Sequence, residues 1–189
     1  TLGETYSRLL DVFGNLRDSK DSEELEVLLS DDKIRSEFYD ALSAFGKALS
    51  MALSSEKVFE ALSKEEVQKY KDTFIFFSKM RRSVKVRYAD AIDNAEFEPQ
   101  MQNLLDRYLS VVGLKQITNP VDILNRDELE KELHELGSLR AKADAITSTM
   151  TKSISDRRDE NPAYYDSFSK RIKIVLDEFY QEKYQDYLL

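Results

Sequence analysis

The side chains best placed to do chemistry are cations. Lys79, Arg81, Arg82, Lys85 and Arg87 fall within nine positions, a density suited to an acidic protein face or a phosphate backbone. Laid on a helix at about 100° per residue, Tyr70, Phe74, Phe77, Val84 and Tyr88 form one apolar stripe. Arg81 falls inside that stripe, and Arg82 and Lys85 flank one side of it. A guanidinium on an apolar face has to be paired, because an isolated buried charge is strongly unfavourable. Arg81 is therefore expected in a structural ion pair, with Asp93 or Glu96 as the carboxylate. Arg82, Lys85 and Arg87, with Lys79 at the edge, are expected to touch a partner or a phosphate. The aromatic positions read as core, since rings that stack on bases must be exposed.

Other chemistries fail on residue type or spacing. The chain has no cysteine, which removes disulfides, thiolate nucleophiles and Cys-ligated metals. His134 is the only histidine. With Glu135 it begins like a zinc-protease helix, but position 138 is Ser, and Lys131 stands where a di-iron Glu-x-x-His pair needs its carboxylate. His134 reads as a solvent-facing helix residue. Gly3, Gly14, Gly46, Gly113 and Gly137 are too scattered to build a phosphate-cradling loop. The carboxylates Asp31, Asp32, Glu65, Glu66, Asp93, Glu96 and Glu98 read as helix caps and solvated faces. No catalytic, cofactor-binding or metal-ligating residue is expected in this chain.

Elements must position the basic run, and the composition says which kind. The 189 residues are 41% hydrophobic and 34% charged, with 5 glycines and 3 prolines, too few turn-formers for anything but long helices. An all-α bundle of about six or seven helices, several of them long, follows as one helical domain over 1–189. The formal charge is -8, yet residues 67–92 hold seven basic and two acidic side chains between acidic flanks. An acidic surface repels nucleic acid as a whole. The densest apolar run, Phe74-Ile75-Phe76-Phe77, is far too short to cross a bilayer. A soluble, cytoplasmic piece with no membrane partner is expected. Its opening at Thr1 rather than Met reads as a fragment of something longer.

Boundaries come from caps and breaks. Thr1-Leu2-Gly3-Glu4 has capping-box spacing, and Tyr6, Leu9, Leu10 and Phe13 recur at helical intervals. Ser22 is expected to cap a short helix from Glu23 to Leu29. Asp31 or Asp32 starts the next, with Ile34, Phe38, Ala41, Leu42, Phe45, Leu49 and Leu53 on one face, until Ser54-Ser55 interrupts it. Ser63-Lys64-Glu65-Glu66 is a second capping box and opens a helix to about Ile92. Pro99 opens another that Gly113 can end. Residues 114–126 form a Pro-containing ordered connector and a candidate subdomain boundary. Asp127 is expected to cap a helix with Leu129, Leu133, Leu136, Ala143, Ile146, Met150 and Ile154 on one stripe. Asn161-Pro162 then starts a last helix carrying Tyr165, Phe168, Ile172, Val175, Leu176 and Phe179.

Several of these residues, in order, resemble a known family. Met80-Arg81-Arg82-Ser83-Val84-Lys85-Val86-Arg87-Tyr88, then Ala91-Ile92-Asp93 and Phe97-Glu98-Pro99, are similar to a pattern in the restriction (R) subunits of type I restriction–modification systems. Leu104-Leu105-Asp106, Lys115-Gln116-Ile117-Thr118, Ala141-Lys142-Ala143-Asp144 with Ile146, and Asp159-Glu160-Asn161-Pro162-Ala163-Tyr164-Tyr165 continue the resemblance. Phe38-Tyr39 with Leu42, and Leu49 with Ala52-Leu53-Ser54-Ser55, extend it, so that it covers about residues 35–185. Glu182-Lys183-Tyr184-Gln185-Asp186-Tyr187 departs from it.

The resemblance implies the helical C-terminal part of a large endonuclease and ATP-dependent DNA translocase. That part docks the subunit onto the methyltransferase and specificity subunits, and meets DNA only indirectly. ATP and Mg are implied for the parent chain, and no cofactor for this piece. None of the family's nuclease or nucleotide-binding residues has a counterpart here. Two other readings stay open: an intramolecular scaffold bracing the helicase-like domains of its own chain, and an auxiliary DNA-backbone-binding surface.

Overall fold

Helix-stop residues are rare in this sequence and caps are frequent, and the structure follows them. A computed structural model describes residues 1–55, 61–90 and 126–159, together with positions 162, 163, 165–167, 169–171, 173, 174 and 177. The chain is all-α, and no strand occurs among the described residues. The helices are α1 (Leu2–Asp11), α2 (Ser22–Leu28), α3 (Asp32–Leu53), α4 (Lys64–Arg87), α5 (Arg126–Glu135) and α6 (Leu139–Arg157), with a 3-10 turn at Gly14–Leu16. The described positions between 162 and 177 are helical as well. The proposed helix after Pro99 and the connector at 114–126 lie outside the described residues, as do Asn161 and most apolar positions of the last helix.

Local chemistry sets the helix starts. The Thr1 hydroxyl accepts from the Glu4 N–H while the amino terminus donates to Glu4 Oε2 at 2.7 Å. The second box also forms: the Glu66 N–H donates to Ser63 Oγ at 3.1 Å, and the Ser63 N–H donates to Glu66 Oε2 at 2.9 Å. Asp31 caps α3 by accepting from the Lys33 and Ile34 N–H groups.

Four boundaries differ from the sequence expectation. Asp127, expected to cap its helix, lies inside α5, which already includes Arg126. Asp21, not Ser22, caps α2, its Oδ1 accepting from the Glu23 N–H at 2.9 Å. Ser22 is instead the first residue of that helix. α4 ends at Arg87 rather than near Ile92, because Ala89 takes a φ of 48°, a left-handed conformation that stops a helix. The long helix expected from Asp127 is two: α5 stops before Leu136, and the Ser138 side chain accepts from the Ala141 N–H at 2.9 Å to start α6. The sequence carried the break in Gly137-Ser138, a helix terminator beside an N-cap residue.

The chain divides into two compact units, one containing Thr1–Lys85 and one containing Val86–Asp90 with the described residues from Arg126 onward. The first is built on aromatics. Phe13, after α1, stacks on Phe77 of α4 with ring centroids 5.1 Å apart and meets Phe38 of α3 edge-on at 5.6 Å. Tyr6 meets Phe45 and Tyr70, and Phe45 meets Phe74. Leu9, Leu25, Leu29, Leu42 and Leu49 of the same unit are buried as well. Edge-to-face and offset pairs of this kind add about 0.5–1.5 kcal/mol each beyond their buried area. Arg35 joins α2 to α3: buried, it donates to the carbonyls of Leu29 and Ser30 and to Asp32 Oδ1.

The second unit has a smaller core. Leu136, Ala141 and Ala145 are buried together, with Val86 and Leu133 packed against them. The face of α6 turned to this core is therefore the small one, Ala141, Ala145 and Thr149 at four-residue spacing. Of the apolar stripe that the spacing draws along this part of the chain, Ile146 is exposed and Ala143, Met150 and Ile154 are half-buried.

Candidate partner interface

The capping box at Ser63 and Glu66 fixes where α4 begins, and Phe74, Phe77, Met80 and Val84 fix which side faces inward. These four are buried, and all but Met80 belong to the apolar stripe. The basic residues are then distributed by their angle from that stripe. Lys79 points away from the core and is exposed, while Arg82 and Lys85 lie half-buried on the flank. Lysine and arginine stems lie along apolar surface and carry the charge outward, so half-burial still leaves a cationic edge. Arg82 and Lys85 are each already engaged within the chain.

Arg81 sits inside the stripe, as the spacing requires, with 2% of its surface exposed. Its guanidinium carbon lies 5.3 Å from the centroid of the Tyr39 ring, where a cation is attracted by the negative face of the ring. The carboxylates expected to pair with it, Asp93 and Glu96, lie outside the described residues.

Arg87 is placed differently from the expected contact edge, and this is a correction. Its side chain is 0% exposed and donates from Nε at 2.8 Å and from Nη2 at 2.6 Å to Asp144 Oδ2 of α6. The guanidinium also lies 5.7 Å from the Tyr88 ring centroid. Six positions on from Arg81 is about 600°, so Arg87 lies about 120° round the helix from it and off the apolar stripe. The periodicity does not show its partner, since Asp144 is 57 residues further along the chain. Of the cations expected to touch a partner, Lys79 is thus exposed and Arg82 and Lys85 are half-buried.

The carboxylates mostly do the structural work of caps. Asp31 and Glu66 hold helix starts, and Asp32 pairs with Arg35 at 2.6 Å. Asp93, Glu96 and Glu98 lie outside the described residues. His134 is exposed on α5. Among the described residues no three His, Asp or Glu side chains gather as metal ligands, and no helix is long and apolar enough to cross a membrane. No family model, curated protein or solved structure matches this chain.

Proposed function

We propose that this chain is a non-catalytic assembly domain of a type I restriction enzyme R subunit, working in the cytoplasm. It would dock the ATP-dependent DNA translocase and endonuclease onto the methyltransferase–specificity core. The observation that carries the reading is the ordered series of residue matches to such subunits over about residues 35–185. The all-α architecture is compatible with it. α3 and α4 have 22 and 24 residues, which at about 1.5 Å per residue makes struts of about 33 and 36 Å. Struts of that length suit a part that must hold a motor against a bound site while DNA is pulled. ATP and Mg would belong to the motor domains of the parent chain. The scattered glycines give this chain no phosphate cradle, and no nucleotide chemistry is assigned to it.

Within this reading, Arg82 and Lys85, with Lys79 at the edge, meet an acidic face of the partner. The test is co-elution of the chain with the methyltransferase–specificity core on size exclusion, comparing the unaltered chain with an Arg82→Glu/Lys85→Glu variant. Docking predicts co-elution that the variant weakens while circular dichroism stays the same. Failure of the well-folded, unaltered chain to co-elute would defeat the proposal.

A second reading, an internal brace for the motor domains of the same chain, is favoured by one observation. Arg82 and Lys85 already have company inside the chain. For that brace, charge reversal lowers the melting temperature and there is no co-elution to weaken. If the edge held DNA instead, binding to duplex would fall steeply with added salt.

A further inference from the structure

We draw no further inference here: the strongest candidate, the apolar side of α6 that carries Leu139 and Ile146, 65% and 37% exposed, is a surface patch for which nothing in the structure shows what covers it.

Discussion

Arg87 and Asp144 are joined by a hydrogen bond from Nε and an ion contact from Nη2, both to Asp144 Oδ2, with the guanidinium wholly buried and the carboxylate largely so. The pair ties the last turn of α4 to α6 inside the second unit. Breaking such a pair on one side leaves an uncompensated buried charge, which costs about 3–5 kcal/mol. Replacing both partners by apolar groups of similar volume removes that penalty. Asp144→Ala should therefore destabilise the second unit by about 3 kcal/mol in urea unfolding followed by a probe placed there. Arg87→Met with Asp144→Leu should recover most of the loss. Equal losses in the single and double variants would mean that the packing of these side chains, not their charge, holds the unit.

The start of α2 separates two neighbouring residues that a sequence pattern cannot. Asp21 and Ser22 are both good caps by type, but only Asp21 holds the position, accepting from the Glu23 N–H. Losing a cap costs about 1 kcal/mol. Asp21→Ala should show that loss in chemical denaturation, and Ser22→Ala should fall within about 0.5 kcal/mol of the parent. The reverse order of effects would reinstate Ser22 as the cap.

The end of α4 gives a backbone prediction. Ala89 has a φ of 48°, which costs an L-residue about 1–2 kcal/mol and glycine almost nothing. Glycine also adds freedom to the unfolded chain, which offsets part of the gain. Ala89→Gly should thus leave stability unchanged or raise it by about 0.5 kcal/mol, while Ala89→Val should lower it by more than about 1 kcal/mol, β-branched residues being poorly tolerated there. If valine is accepted without loss, α4 continues past Arg87 as its apolar periodicity first indicated.

Much of the fold was legible because caps and apolar spacing are local properties. The boxes at Thr1 and Ser63, the start of α3 near Asp31 and the buried stripe of α4 all depend on residues within a few positions of one another. The basic run was harder. Its sorting into exposed Lys79, flanking Arg82 and Lys85, and buried Arg81 follows from angle alone. The fate of Arg87 did not, since it required a carboxylate on a distant helix. Arg35 was missed for the opposite reason: its partners are the backbone carbonyls of Leu29 and Ser30, which no residue type advertises.

α6 shows the same limit most sharply, because it carries two apolar periodicities and the larger side chains marked the less buried one. The core selects the small face, and Val86, Leu133 and Leu136 pack against Ala141 and Ala145. Ala145 has no exposed surface, so a larger side chain there has nowhere to go, and overpacking of this kind costs about 1–3 kcal/mol. Ala145→Leu should destabilise the second unit by that amount. Ile146→Ser, one position along and on the outer side, should change stability by less than about 1 kcal/mol, mostly through its lower helix propensity. Urea titration of the two variants decides the matter. A large loss for Ile146→Ser with none for Ala145→Leu would mean that α6 is rotated to put its bulky stripe inside.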